Sequence, residues 1–406
     1  MTVYLIDNHA VDSEAPDFQR CLADAHQRRV RPLCTCRHEG DKLAMVLAQV
    51  KIKGEDRTII RRLPGSGHDH AADCRHHEEP EGISGLTQVR GTAIQHDEAD
   101  DTYKLKLDFP LGRQERRLSE VNPNADHAPN APRPKVSRLR PLGLLHHLWE
   151  GADLTRMNGG ILNHRSWNVV RTRLLAFVAR QRTSTRDIAK QAFIPQSFTL
   201  EDKPRLEGVL RKHFFNAMTR KEAVILIGEV KDVQDRQLII KHLPFLKLLT
   251  GESARSSFAK AWGKAEPLRM AHEHSHIVAI AIVFIEPTGV ALVHDIDMMN
   301  VTAQWVPFEG MDEHALLASF DHAKRSYQKS LSYGTPAPIS VARLLDTGDQ
   351  GTACFMVREV ITPELQAVMV ALAANDVPLW CWAGNEAQPA LPKRRRFVEN
   401  ANQPSL

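Results

Sequence analysis

Two cysteines one residue apart, Cys34-Thr-Cys36, are answered a few dozen residues later by His68, His70, Cys74, His76 and His77. Half of the chain's six cysteines fall in this stretch. Thiolate sulfur and imidazole nitrogen are the donors a tetrahedral zinc ion takes, commonly two from each of two chain segments. An ion bound in that way ties distant segments together, so this spacing constrains the local fold more than any other pattern in the chain. Cys34 and Cys36 supply one pair. His70 and Cys74, four residues apart, supply a second, and the hairpin between them is clipped at its base. Cys74 with His76 is a competing second pair, giving Cys-x-Cys…Cys-x-His, which is similar to SWIM zinc fingers. The gap here is longer than in those fingers, which ranks His70 above His76. Four protein donors with no general base paired to them point to a structural ion.

Composition sets the frame. At 406 residues, 42% hydrophobic and 25% charged, the chain has room for two or three ordinary globular domains. The longest apolar stretch, 277–285, suits a buried strand and is too short to cross a bilayer. The N-terminus lacks the basic flank and cleavage site of a signal peptide. A cytoplasmic protein without a membrane partner is therefore expected, with thiols kept reduced and clustered cysteines acting as ligands. Net charge is only +4, but basic residues bunch at Arg113, Arg116 and Arg117, at Arg133, Lys135, Arg138 and Arg140, and in the tail at Lys393–Arg396. Arg133, Lys135, Arg138 and Arg140 are the candidate nucleic-acid contacts, since such segments neutralise phosphates.

The expected fold class is α+β. Residues 1–121 read as a β-rich, zinc-clipped module, with a hairpin formed by 43–53 and 57–63 about Gly54, and later strands near Ile94 and over 103–109. Residues 122–141 are proline-rich and nearly free of large apolar side chains, which marks a linker. Residues 142–220 have helical periodicity. Leu144, Leu145, Leu148 and Trp149 form one apolar face, Trp167, Val170, Leu174, Leu175 and Val178 another, and a third helix is expected after an N-cap at Ser184 or Thr185. Arg171, Arg173, Arg180, Arg182 and Arg186 would give such a unit a basic surface. A winged-helix arrangement is one reading, and a plain helical bundle is the commoner one. Residues 221–390 alternate strands and helices as a mixed α/β domain, with hairpins 223–230/237–243 and 276–285/290–295. Residues 391–406 form a basic tail. There is no Gly-x-Gly-x-x-Gly after a strand and no Gly-Lys-Ser/Thr loop.

Glu229-Val-Lys231 closes an apolar strand as the Glu-x-Lys half of a PD-(D/E)xK nuclease does, although the preceding residues, 203–218, read as helix where the partner strand should lie. The C-terminal order is helix 313–331, strands 339–345 and 353–359, helix 363–374 and strand 379–382. It resembles a degenerate PD-(D/E)xK core, with Pro338-Ile339 and the neutral run from Ala353 where the carboxylates and lysine would stand. Such a copy would be catalytically inert. His272, His274 and His276 alternate before an apolar strand and read as an exposed lead-in. Asp295 and Asp297 share one strand face without a third acid. Cys354 and Cys381 read as core residues.

Taken together, Pro32-Leu-Cys-Thr-Cys36, the segment from Arg62-Leu-Pro-Gly-Ser-Gly to His70-x-x-x-Cys74, and Leu86–Ile94 are similar to a bacterial family catalogued as domain of unknown function 1173. So are Leu144-Leu-His-His-Leu-Trp149, Ile227-Gly-Glu-Val-Lys231, His242-Leu-Pro244 and Trp305-Val-Pro-Phe-Glu309. The resemblance runs nearly the length of the chain. It implies a protein of conjugative plasmids and integrative elements, and carries no activity that can be transferred to particular residues. The expected function is that of a zinc-stabilised, nucleic-acid-associated accessory protein without enzymatic activity. Two alternatives are a metal-dependent nuclease using Glu229 and Lys231, and a scaffold for protein partners in a DNA-transfer complex.

Overall fold

The computed structural model describes residues 3–37, 40–52, 55–97, 100–113, 136–159, 165–235, 237–357, 361–384 and 386–395. It is a mixed α+β structure with several sheets and, among the described residues, nine α-helices. Its contacts divide the chain into two units. One combines Met1–Ile83, Ala323–Gln328 and Ser340–Leu406; the other holds Ser84–His322 and Lys329–Ile339.

The first unit begins with a five-stranded antiparallel sheet in the order His9–Asp12, Val3–Ile6, Leu33–Cys34, Leu43–Ile52, Glu55–Arg62. The last two strands are the hairpin read from the sequence, in register from Met45 opposite Arg62 to Ile52 opposite Glu55. Helix Phe18–Gln27 lies on this sheet, burying Leu22 and Ala25 beside Ile6, Leu47 and Ile60. The C-terminal part of the unit pairs Ala342–Leu344 antiparallel to Thr352–Val357, which pairs parallel to Leu379–Ala383. Parallel strands need a crossover, and helix Pro363–Ala374 supplies it. Thr362 caps that helix by accepting from the Leu365 N–H, and Pro363 takes the first helical position, where no N–H is needed. Ile83, Ala353, Phe355, Leu372 and Val377 form the local core.

Two expectations for this region change. The helix foreseen over 313–331 ends at His322, because the chain turns through a left-handed Lys324 (φ +52°) into a strand, Tyr327–Lys329. The tail residues Arg394 and Arg395 are docked: Arg394 donates to the carbonyls of Ala323 and Lys324, and Arg395 pairs with Asp349 at 2.8 Å.

The second unit is built on a sheet whose pairing returns to its start. Val224–Gln234 pairs with Gln237–Ile240 and also with His276–Ile285. Leu248–Thr250 and Ala291–Val301 complete the circuit. A bulge between Val230 and Asp232 lies just past Glu229, where the pairing with His276–Ile285 ends and that with Gln237–Ile240 begins. Both faces of this sheet are buried. Ile225, Ile227, Ile280 and Ile282 pack with residues of helices Pro141–Gly151 and Trp167–Val178, while Leu226, Ala281 and Val283 pack with Lys203–Arg220 and Arg255–Ala271. Burial on both faces is why 277–285 reads as an unbroken apolar run.

The part of 1–121 that follows Ile83 belongs to this second unit, although 1–121 reads as one module in the sequence. The reason is packing: Leu105, Leu107, Phe109 and Leu111 are buried in the same core as Trp149 and Val170. Most of the proline-rich segment lies outside the described residues. Its described end is held in place, since Leu139 is fully buried and exchanges backbone hydrogen bonds with Lys106 and Asp108. The third helix of the central segment shrinks to one turn, Ile188–Gln191, with Asp187 rather than Ser184 or Thr185 before it. Thr183 instead accepts the Arg186 N–H in a tight turn. The arginines read as a basic surface are engaged internally. Arg171 and Arg186 donate to the Ile194 and Leu111 carbonyls, and Arg173, Arg180 and Arg182 pair with Asp153, Asp101 and Asp100.

Candidate metal centre

Cys34 ends the strand Leu33–Cys34, where it is held between Tyr4 and Leu43 and fully buried. The strand stops there. The Thr35 hydroxyl donates to the Val3 carbonyl at 2.7 Å, and Cys36 follows with its sulfur turned toward the second segment. That segment enters through Leu63-Pro64-Gly65-Ser66. Proline at the second position and a glycine with φ +79° at the third make a type II turn, closed by Ser66 N–H to Leu63 C=O at 3.2 Å. A 3-10 turn over Gly67–Asp69 leads to an extended His70, and a further turn closes from Cys74 N–H to Ala71 C=O at 2.8 Å. Gly67 is obligatory in this loop, since a Cβ there would meet the Glu78 Cβ at 2.4 Å. Arg62 braces the loop by pairing with Glu78 at 2.7 Å and donating to the His76 carbonyl.

The ligand atoms of Cys34, Cys36, His70 and Cys74 all lie within 4.8 Å of one another, so the group can hold a metal ion. Cys34 Sγ and Cys74 Sγ are 3.7 Å apart; His70 Nδ1 is 3.4 Å from Cys36 Sγ and 3.6 Å from Cys74 Sγ. Backbone N–H groups point at two of the sulfurs, Ala71 at Cys36 (3.5 Å) and His76 at Cys74 (3.4 Å). Such donors stabilise negative charge on sulfur. Without a cation the three thiols compete for that charge. The contact with Cys34 holds Cys36 far below an ordinary thiol, while hydrogen bonding to Cys36 pushes Cys34 up to about 11 and the contact with Cys34 pushes Cys74 up further. A divalent cation at their centre removes the competition, because coordination deprotonates each thiol outright.

Of the described histidines, His70 is the one whose ring nitrogen lies within this group. His76 turns its Nε2 to the Tyr4 hydroxyl at 2.7 Å, His68 Nδ1 meets the Glu78 carbonyl at 2.8 Å, and His77 Nδ1 meets the His70 carbonyl at 2.8 Å. Burial, helped by Arg75 and Arg343 respectively, pushes His76 and His77 down to about 4, so both are neutral at physiological pH. The loop also rests on residues that the sequence did not single out. Arg343 donates to His77 Nε2 at 2.9 Å, Gln350 Nε2 donates to the His68 carbonyl at 2.8 Å, and the Asp349 carbonyl accepts from Ala72 N–H at 2.7 Å. These residues stand more than 260 positions along the chain, and no local pattern marks them.

The other sequence candidates lie apart from this cluster. Arg133 and Lys135 fall outside the described residues. Arg138 donates to the Leu107 carbonyl at 3.1 Å, and Arg140 is 76% exposed, 3.7 Å from Asp108. Glu229 is buried, pairs with Lys241 at 2.7 Å and accepts from His276 Nδ1 at 2.8 Å, whereas Lys231 is exposed. Asp295 and Asp297 accept the N–H groups of Ile296 and Met298, and burial raises Asp297. Among the described residues, the cysteine–histidine cluster is the one group of three or more His, Cys, Asp or Glu side chains placed to share an ion. Among the described residues, the carboxylate set that a nuclease reading needs is not brought together.

A family model described as protein of unknown function (DUF1173) matches residues 4–385. The chain belongs to that family. No curated protein and no solved structure matches it. The family match spans both units, including the cysteine–histidine loop and the closed sheet. Among its described residues, no helix is long and apolar enough to cross a membrane.

Proposed function

We propose that Cys34, Cys36, His70 and Cys74 hold a structural zinc ion, in a cytoplasmic, non-catalytic accessory protein that associates with nucleic acid in a bacterial mobile element. One observation carries the zinc assignment. Bond lengths of about 2.3 Å to sulfur and about 2.0 Å to nitrogen in a tetrahedron separate two sulfurs by about 3.8 Å and sulfur from nitrogen by about 3.5 Å. Three of the six separations here are 3.7 Å for Cys34–Cys74 and 3.4 and 3.6 Å for His70 to Cys36 and Cys74, and all six lie within 4.8 Å. Three sulfurs favour zinc over magnesium or calcium, which take oxygen. Four protein donors leave no open position for substrate, which supports a structural role. The C-terminal region is read as a nuclease-like core without its catalytic residues. Metal analysis of the purified protein tests the assignment. One zinc per chain in wild type, lost in Cys34→Ser, is expected; stoichiometric zinc in that variant refutes it.

Support for nucleic-acid association is the basic run from Arg113 to Arg140, of which Arg140 is exposed. Binding of this kind weakens steeply with salt. Titration of DNA and RNA at several salt concentrations is the test, and absence of binding to both at low salt rejects the reading.

A further inference from the structure

The buried carboxylate of Glu229 lies in the apolar, buried part of its strand, Val224 to Val230, where an unpaired charge is costly. Three groups surround it. Lys241 Nζ and His276 Nδ1 both meet Oε1, at 2.7 and 2.8 Å, and His242 Nε2 stands 3.4 Å from Oε2. Burial works to raise the Glu229 carboxyl, but His242, His276 and Lys241 overcome it and hold the group ionised, well below the usual carboxylate range. An ionised carboxylate only accepts, so Nδ1 of His276 must carry a proton and Nε2 is left to face outward. The ring cannot swing away, because it lies flat on Trp305 with centroids 4.4 Å apart and planes 5° from parallel. His242 is held in the same manner, stacked on Trp167 with Nδ1 accepting from the Phe198 N–H.

His276 Nε2 has no hydrogen-bond partner among the described residues and is not sealed from solvent, the side chain being 25% exposed. The Lys241 side chain is 47% exposed and uses one of its three donors on Glu229. Both groups bond the same carboxylate oxygen, and both side chains are partly exposed beside it. Lys231, exposed and two residues beyond Glu229, adds positive charge nearby. From these contacts we infer that His276 and Lys241, positioned by Glu229, form a binding site for a phosphate group, with Nε2–H of the imidazolium and the free ammonium donors meeting its oxygens. Glu229 and the stacked Trp305 ring fix the orientation of His276. No bond is made or broken at this site. The inference rests on the nucleic-acid reading above insofar as the phosphate belongs to a nucleic-acid backbone; free phosphate has the same chemistry.

The experiment uses the full-length protein in two arms. In the first, labelled single-stranded DNA and RNA are titrated at several salt concentrations. His276→Gln, which keeps a donor toward Glu229, and Lys241→Gln should each weaken binding about tenfold and lower the salt slope by about one. In the second, inorganic phosphate is added while the imidazole resonances of His276 are followed by NMR against chloride at equal ionic strength. They should shift in wild type and not in Lys241→Gln. If both variants bind oligonucleotides as wild type does and phosphate leaves His276 unmoved, the site is overturned while the nucleic-acid reading stands. If wild type binds neither strand, that reading falls and the phosphate arm alone decides the site. Circular dichroism confirms that each variant is folded.

Discussion

The cysteine–histidine loop of the first unit and the Glu229 cluster of the second both bury ionisable groups, in opposite ways. The loop gathers three thiols that cannot all be ionised in each other's company. Such a set is complete only with a cation. The Glu229 cluster gathers a carboxylate with an ammonium and two imidazoles, so attraction holds Lys241 and His276 on Oε1, while Oε2 and the facing His242 Nε2 stand 3.4 Å apart without a hydrogen bond. On the zinc reading proposed above, the first arrangement makes folding depend on metal. The second needs no added cation to hold Lys241 and His276, and it leaves His276 Nε2 over. A buried charged cluster thus signals a ligand when its members repel, and a positioned side chain when they attract.

The largest test of this contrast is metal removal. Chelation, or Cys34→Ser, should cost the N-terminal sheet and loop on the order of 10 kcal/mol and abolish their thermal transition. A melt that chelator leaves unchanged would break the comparison at its first term. Glu229→Gln should retain zinc and cost the second unit about 2 kcal/mol in urea unfolding, because the charge-assisted bonds to Lys241 and His276 are weakened. The same variant changes the acid side. The Glu229 carboxyl sits below its unfolded value of 4.5, so its stabilisation is present above that pH and is lost as pH falls through and below it. Wild type should lose stability there faster than Glu229→Gln, and parallel curves would show that the cluster is not closed by charge.

Smaller effects separate ligand from neighbour. His76→Ala should keep full zinc occupancy and cost about 1 kcal/mol, the value of the Tyr4 hydrogen bond, whereas His70→Ala should lose the metal. Zinc loss in His76→Ala would reverse the choice between the two histidines. Smallest of all, Arg140→Gln should leave the unfolding free energy within about 0.5 kcal/mol of wild type, since its side chain is 76% exposed. It should still lower the salt slope of nucleic-acid binding by about one if that residue meets a phosphate.

Much of the fold was legible where the signal is local. The pairing of Leu43–Ile52 with Glu55–Arg62 and the strand over 277–285 follow from apolar patterning and continuous apolarity, and helix Pro363–Ala374 lies where the sequence placed it. The candidate metal group was legible too, because ligand chemistry restricts the residue types and the spacing brings them in pairs. What failed is instructive. The helix expected to reach 331 stops at His322 since Lys324 takes a left-handed conformation that no side-chain pattern announces. The arginines of 171–186 look like a binding surface, yet each meets a carbonyl or carboxylate supplied by another segment. His276 reads as one of three alternating histidines, and only its meeting with Glu229, 47 positions earlier, sets it apart.

The sequence by itself determined which donors are at hand: Cys34, Cys36 and Cys74 among histidines, a carboxylate in an apolar strand, and a paired set of strands to carry them. Tertiary structure decided which donors meet. It turned His70 toward the sulfurs and His76 toward Tyr4, brought Arg343 and Gln350 under the loop, and closed Lys241, His242 and His276 around Glu229. The physical reason is range. Helix and strand signals act over a few residues, whereas coordination and buried charge pairing act over a few ångströms, between groups that may be any distance apart along the chain.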